Sequence, residues 1–127
     1  KLDIMGDGTQ SKSYIYVEDV ISAMRLIQKN RLNGFSYFNV ATLDHITVKE
    51  IADIVVSIMK LDNVKYVFAG GDRGWKGDVP VVRLNSDKIR SNGWENKHSS
   101  GDAIRLSVES IYHDALKNKF DWKGAEV

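Results

Sequence analysis

The sequence predicts one α/β domain, and two observations support that prediction. Short runs of β-branched and aromatic residues alternate along the chain with longer segments whose apolar residues recur at helical spacing. The chain has 127 residues, of which 43% are hydrophobic and 28% are charged, a composition typical of a single globular domain. Because strands and helices alternate without a linker or an internal repeat, we expect an α/β arrangement in one unit.

Five short segments are predicted to be β-strands. Gly6 and Gly8 predict a turn after the first of them, because glycine adopts positive φ angles at little cost. The predicted strands, each rich in β-branched or aromatic residues, span 1–5, 12–17, 35–40, 64–69 and 79–84.

The first helix is predicted to follow Asp19, whose carboxylate is a suitable N-cap. Apolar residues recur at helical spacing over 20–27, and an Asn-Gly pair at 33–34 ends the helix. A short helical turn is predicted over 86–91. It precedes Trp94, which we expect to be a packing anchor of the core.

Two further helices are predicted from capping boxes. Thr47 and Glu50 have the spacing of a capping box, and so do Ser99 and Asp102. The helix over 48–59 has a wide apolar face. We expect that face to need a partner, and an exposed apolar face could drive self-association.

Composition and charge exclude several classes of function. The formal net charge is +1, so nothing points to nucleic acid, a membrane surface or an acidic partner. The sequence has no cysteine, which excludes disulfides and thiolate chemistry. No membrane span or signal peptide is predicted, so a cytoplasmic location is the default expectation. A chain that starts at Lys1 without methionine is expected to be a piece of a larger protein.

The glycine-rich run over 70–80 is the most distinctive part of the chain. Gly71, Gly74 and Gly77 match the Gly-x-x-Gly-x-x-Gly spacing that holds a dinucleotide pyrophosphate at a helix N-terminus. The residues that follow, 78–82, include a proline and several valines, so no helix is predicted there. The spacing alone therefore does not predict an NAD site.

Anion and hydroxyl recognition suits this loop better. Arg73 offers a bidentate guanidinium for phosphate, Lys76 a point charge, and Asp78 an acceptor for a diol such as a ribose. Residue types alone equally allow a solvated loop whose charges have no binding role. Lys12 has the same two interpretations. The three histidines show no metal-ligand spacing, and no complete acid–base constellation emerges.

Five motifs follow one another along nearly the whole chain. They are GDGTQ at 6–10 with YIYVEDV at 14–20, YFNVA at 37–41, ITVKEIA at 46–52, GDVP at 77–80, and KI at 88–89 with GW at 93–94. In this order they resemble the C-terminal part of an extended short-chain dehydrogenase/reductase, of the NAD-dependent nucleotide-sugar epimerase and dehydratase group that includes UDP-glucose 4-epimerase. The resemblance implies a single substrate-binding domain over 1–127, with a small mixed sheet and three main helices, lacking the N-terminal Rossmann core.

The resemblance implies roles for individual residues. Lys12 stands where the family has an arginine on the substrate diphosphate, so the charge is kept but the bidentate fork is lost. Tyr14 is expected to line the pocket. Asp78 matches the family aspartate that binds the nucleotide ribose.

A second phosphate ligand is implied less directly. The family commonly has an arginine three residues before that aspartate, where this chain has Trp75. Arg73 or Lys76 could replace it, and Arg73 is the favoured candidate because of its fork.

The family's catalytic pair is a tyrosine followed four residues later by lysine, and none of the tyrosines here has that lysine. The resemblance therefore implies no catalytic residue and no cofactor held by this chain alone, with NAD bound in the parent enzyme. The implied partners are a UDP- or dTDP-hexose and the missing Rossmann domain. A free-standing, non-catalytic interaction or ligand-binding module that reuses the fold is the alternative.

Overall fold

The computed structural model describes residues 1–30, 34–79 and 81–117. These residues form a small α/β fold whose three main helices are α1, α2 and α4, as predicted. In chain order the elements are β1 (Leu2–Ile4), β2 (Ser11–Lys12), α1 (Val17–Asn30), β3 (Ile46–Thr47), α2 (Val48–Ile58), β4 (Tyr66–Phe68), β5 (Val81–Val82), α3 (Asp87–Arg90) and α4 (Ser100–Leu116).

The strands form two small sheets. β1 pairs in parallel with β4, so that Leu2 lies opposite Tyr66. In the other sheet β2 is central, antiparallel to β3 and parallel to β5, with Lys12 opposite both Ile46 and Val82. Lys12 therefore lies in a central strand, between two neighbours that fix its backbone.

Both predicted capping boxes are confirmed. The Thr47 hydroxyl accepts from the Glu50 amide at 3.2 Å, and the Glu50 carboxylate accepts from the Thr47 amide at 2.8 Å. Ser99 and Asp102 exchange the same two bonds, each at 3.1 Å. These bonds satisfy amides that the first turn of a helix leaves without an intrahelical partner.

The core is centred on Trp94, as predicted. Its side chain is 3% exposed and packs with Ala23 and Ile89. The indole Nε1 donates to the Asp19 carbonyl at 3.2 Å and to the Ser22 hydroxyl at 2.9 Å, so the buried polar atom of the ring is satisfied.

The apolar face of α2 is only partly covered by the described residues. One side of α2 packs against α4, but several of its apolar residues line a groove beside β1, and Met59 at the end of the predicted face is 36% exposed. Another exposed apolar stripe lies on α1, where Val17, Ile21 and Met24 recur at helical spacing. In the described part of the chain, none of the helices combines the length and apolar character needed to cross a membrane.

Asp19 does not cap α1, and that prediction was wrong. The helix begins two residues earlier, at Val17, and Asp19 lies in its first turn with 1% exposure. Its carboxylate accepts instead from the Lys97 amide at 2.9 Å and from the His98 amide at 3.1 Å, with His98 Nδ1 at 3.0 Å. Donors far away in sequence satisfy this carboxylate, and local sequence does not reveal them.

Two predicted strands were wrong in extent or existence. β2 ends at Lys12, because the next amides leave the ladder and that of Tyr14 donates to the Ser100 hydroxyl at 3.0 Å. No strand forms over 35–40, since no strand of the described residues lies beside it to supply hydrogen bonds.

The other predicted strands and the short helical turn are confirmed in shorter form, as β1, β4, β5 and α3. The described part of α1 ends at Asn30, and Asn33 of its predicted end lies outside the described residues, as does Pro80. β3 was not predicted. Its two residues pair with β2 immediately before α2, so tertiary contact gives Thr47 a strand role as well as a capping role.

Candidate functional site

The candidate site is centred on an ion pair between two residues that sequence analysis selected. Lys12 Nζ lies 2.7 Å from Asp78 Oδ1, although the two residues are 66 positions apart in the chain. The fold brings them together because Asp78 lies just before β5, and β5 pairs in parallel with the strand that carries Lys12. Sequence analysis did not predict this direct pairing.

Both oxygens of the Asp78 carboxylate have a donor. Oδ1 accepts from Lys12, and Oδ2 accepts from the Gly74 amide at 3.1 Å, with the side chain only 8% exposed. The hydrogen bond from Lys12, followed by that from Gly74, lowers the pKa of Asp78 despite its desolvation. The same hydrogen bond raises the pKa of Lys12. The pair is therefore fully ionised at neutral pH.

The glycine turn that precedes β2 determines how closely the loop carrying Asp78, here called the site loop, can approach it. Gly6 has a φ of +80°, and a Cβ there would lie 2.9 Å from the Arg73 carbonyl oxygen. Gln10, which is 3% exposed, accepts from the Gly8 amide at 3.1 Å and donates to the Met5 carbonyl at 3.0 Å. Glycine at position 6 thus permits the loop to lie directly on this turn.

Gln10 is a supporting residue to which sequence analysis gave no role. Its side-chain nitrogen would also lie 3.5 Å from a Cβ placed on Gly74, so it lies at the contact between the turn and the loop. A glutamine after a glycine turn looks like an ordinary surface residue in sequence. Only its burial reveals that it holds the turn together.

The other predicted ligands lie in the same part of the molecule but are more exposed. Arg73 and Lys76 are on the Asp78 loop, and within the described residues neither side chain forms a hydrogen bond or an ion pair. Tyr14 is half-buried, two residues after Lys12. Trp75, at the position where an arginine was expected from the family resemblance, lies with its ring against Gly77. The structure thus groups these residues without fixing them as ligands.

A groove lies beside this pair. It has a volume of about 380 Å³ and is lined mainly by apolar residues of β1 and α2, together with Gln10, Gly74 and Asp78. A larger cavity of about 540 Å³ lies along α1, around Asp19 and His98. None of the predicted site residues lines that larger cavity.

Cofactor and metal sites were tested against the same geometry. After Gly77 the described chain continues to β5 and not into a helix, as predicted, so the glycines do not precede a helix N-terminus that could face a pyrophosphate. The described residues therefore lack the helix that a dinucleotide fingerprint needs after its glycines. Over the same ranges, no group of three or more histidine, cysteine, aspartate or glutamate side chains could hold a metal ion.

No family model matches the chain, but known proteins resemble it in sequence and fold. The dTDP-D-glucose 4,6-dehydratase of Mus musculus is 29% identical over 134 residues, covering 99% of this chain and 35% of the relative. The crystal structure of UDP-glucose 4-epimerase from Thermotoga maritima with UDP-glucose is 28% identical, with a TM-score of 0.72, covering 91% of this chain and 36% of that one. In sequence and fold, the chain resembles the extended short-chain dehydrogenases/reductases.

The family resemblance seen in the sequence is thereby confirmed, and so is the region of the family fold. The chain spans about a third of the length of the relatives it matches, corresponding to their C-terminal part. A UDP-glucuronic acid 4-epimerase from Bacillus cereus, solved with UDP-glucuronic acid and NAD, shares the fold with a TM-score of 0.67 at 19% identity, over 91% of this chain and 35% of that one. The neighbours are nucleotide-sugar epimerases and dehydratases.

Proposed function

We propose that this chain is the nucleotide-sugar-binding part of an NAD-dependent sugar epimerase or dehydratase. The observation that carries the proposal is the pairing of Lys12 with Asp78, next to a loop that presents Arg73 and Lys76 to solvent. A nucleotide sugar has an anionic diphosphate between two polyhydroxy rings. Cations and a carboxylate acceptor side by side match the diphosphate and an adjoining diol.

Each residue has a distinct role in this proposal. Lys12 and Arg73 bind the diphosphate through charge-assisted hydrogen bonds, and Lys76 adds positive charge. Asp78 accepts hydrogen bonds from the ribose hydroxyls, because an ionised carboxylate is acceptor-only. Tyr14 lines the pocket beyond Lys12.

The catalytic groups and NAD are proposed to lie in the remaining two thirds of the parent enzyme. NAD would supply oxidation of the sugar at C4 and return of the hydride, which makes the parent an isomerase or a lyase. This chain alone is expected to be inactive, since it lacks the tyrosine-lysine pair and its glycine loop leads to β5 and not into a helix. A cytoplasmic location stays part of the proposal.

A residue-resolved NMR titration tests the proposed function. UDP-glucose and dTDP-glucose are each added to the ¹⁵N-labelled chain, and NAD is added in a separate series. We expect shifts around Lys12, Arg73 and Asp78 with at least one nucleotide sugar. If NAD instead shifts the amides over 71–77, or if no nucleotide sugar shifts the site, the proposal is wrong.

Variants then assign the ligands. Arg73→Ala and Asp78→Ala are each expected to weaken nucleotide-sugar binding about 5- to 150-fold, as for lost hydrogen bonds to charged groups. Lys49→Ala is the control, because Lys49 forms an ion pair of its own within α2, with Asp53 at 2.8 Å. Unchanged affinity in both site variants would contradict the residue assignment.

A second candidate function is a free-standing interaction module. The exposed apolar stripe of α1, formed by Val17, Ile21 and Met24, favours it because such surfaces often bind partners. Sedimentation velocity over a range of concentrations separates the two. A monomer that binds a nucleotide sugar supports the first function, whereas reversible self-association without any ligand response supports the second.

A further inference from the structure

We infer that Asp78 is a positioning residue for Lys12, so that the two side chains act on a nucleoside diphosphate as one unit. The inference rests on the proposed function and adds a division of labour within the site. The Asp78 carboxylate is fixed by its surroundings, and it holds the Lys12 ammonium in position. Asp78 then contributes to diphosphate binding without touching a phosphate.

The surroundings of the two side chains differ in the way this requires. Asp78 is 8% exposed and is held from behind by the Gly74 amide, whereas Lys12 is 39% exposed. A lysine ammonium ends a flexible four-carbon stem and loses considerable rotamer entropy when it is held in one place. In the described part of the chain, the hydrogen bond to Asp78 is the contact that holds Lys12 Nζ.

The carboxylate itself is anchored through the backbone. A second hydrogen bond closes the loop behind it, from the Asp78 amide to the Trp75 carbonyl at 3.0 Å. The loop lies against the glycine turn, where the Arg73 carbonyl faces Gly6. On the other side, β5 pairs directly with the strand of Lys12. The acceptor is thus fixed relative to the strand from which the lysine extends.

The pair retains hydrogen-bonding capacity for a ligand. An ammonium has three N–H donors, and Asp78 takes one of them. A carboxylate has about four lone-pair sites, and hydrogen bonds from Lys12, Gly74 and the Val79 amide leave one of them for a ligand. Phosphate oxygens can therefore bind Lys12, and a ribose hydroxyl can bind Asp78, without separating the ion pair.

The chemistry of lysine explains why a positioning residue matters here. An arginine presents a planar fork whose donors are pre-organised for phosphate. A lysine presents a point charge whose location depends on its neighbours. A fixed carboxylate 2.7 Å away supplies that location at Lys12.

The test compares each nucleoside diphosphate with its own nucleoside. Affinities of UDP and uridine, dTDP and thymidine, and GDP and guanosine are measured by calorimetry, and the best-bound pair is used for the variants Asp78→Asn, Lys12→Met and their combination. Lys12→Met should weaken the diphosphate about tenfold or more and leave the nucleoside unchanged. Asp78→Asn should lower the affinity for the diphosphate several-fold more than the affinity for the nucleoside, because the substitution also releases Lys12.

The double variant gives the decisive comparison. In the Lys12→Met background, Asp78→Asn should weaken both ligands by the same factor, since no ammonium remains to be positioned. Introducing Lys12→Arg beside Asp78→Asn should restore most of the diphosphate affinity, which a merely structural role for Asp78 would not do. Asp53→Asn, which breaks the Lys49 pair, is the control and should change neither ligand.

Three results would overturn the inference, and they are distinguishable. If Asp78→Asn weakens the diphosphate and the nucleoside equally with Lys12 intact, Asp78 acts on the ribose alone, and the proposed function still stands. If Asp78→Asn raises the affinity for the diphosphate, the Asp78 carboxylate competes with phosphate for Lys12. If the unsubstituted chain binds none of the diphosphates, the proposed function fails and the inference fails with it.

Discussion

Two aspartates are buried in the described part of the chain, and their environments differ. Asp19, at 1% exposure, accepts from two backbone amides and lies within hydrogen-bonding distance of a histidine ring. Asp78, at 8% exposure, accepts from the Gly74 and Val79 amides and from a lysine that reaches solvent. Asp19 links α1 to the segment before α4, whereas Asp78 links a loop to the central strand of a sheet.

The difference shows that burial alone does not identify a ligand-binding carboxylate. The donors of Asp19 are mostly backbone groups, which cannot leave without unfolding the segment that carries them. One donor of Asp78 is a lysine side chain that reaches solvent and has further N–H groups to offer. We therefore expect Asp19 to determine stability and Asp78 to determine binding.

Substitution of Asp19 should have the largest effect on stability. Asp19→Ala removes the acceptor of the Lys97 and His98 amides, which lie in part-buried hydrogen bonds, so we expect a loss of about 3 kcal/mol in the free energy of unfolding. Urea denaturation followed by circular dichroism measures it. Asp78→Ala is the matched control and should lose much less. An equal loss in the two variants would remove the distinction between the two sites.

Acid should destabilise the chain chiefly through Asp19. Desolvation raises the pKa of this carboxyl, but hydrogen bonds from the Lys97 amide and from His98 outweigh it and hold the pKa below its ordinary value. A carboxylate with a lowered pKa stabilises the fold above its unfolded pKa, and this contribution is lost as the pH falls through the folded pKa. The free energy of unfolding should therefore fall below about pH 4.

The matching variant shows how much of this acid effect belongs to Asp19. Asp19→Asn should flatten the pH dependence of unfolding measured between pH 3 and 7, at the order of magnitude of one titrating carboxyl. Asp78→Asn removes another carboxyl whose pKa is lowered. The pH dependence of unfolding in that variant should remain closer to that of the unsubstituted chain. An unchanged slope in Asp19→Asn would show that other carboxylates govern acid unfolding.

His98 should have a smaller effect than Asp19. His98→Ala removes the Nδ1 contact to Asp19 and the edge-to-face contact with Tyr16, in which the two ring centroids are 5.0 Å apart. It leaves in place both backbone amides that donate to Asp19. We expect a loss of about 1 kcal/mol, measured in the same denaturation experiment. Nucleotide-sugar affinity should not change, and a change there would connect the α1 cavity to the proposed site.

The smallest effect on stability is expected on the site loop. Trp75 is 63% exposed, so Trp75→Ala should change the free energy of unfolding by less than about 0.5 kcal/mol. A larger loss would mean that the loop is part of the stabilising core, as Trp94 is. The thermal unfolding midpoints of Trp75→Ala and Trp94→Ala provide the comparison.

The sequence predicted best what short-range hydrogen bonds determine. The capping boxes at Thr47 and Ser99 join residues three positions apart, so their spacing is visible in sequence and the structure confirms both. The glycine turn after β1 and the burial of Trp94 followed in the same way from local residue types. Lys12 and Asp78 were selected as a site from family motifs, and their assignment as ligands remains a prediction.

Tertiary structure decided what needs a partner from elsewhere in the chain. The segment 35–40 has the composition of a strand but no strand beside it within the described residues, because a ladder requires a second backbone. Asp19 is a residue type that often caps helices, but its carboxylate accepts hydrogen bonds from the amides of residues 97–98. The contact between Lys12 and Asp78 depends on the parallel pairing of β2 with β5, and residue spacing does not encode that register.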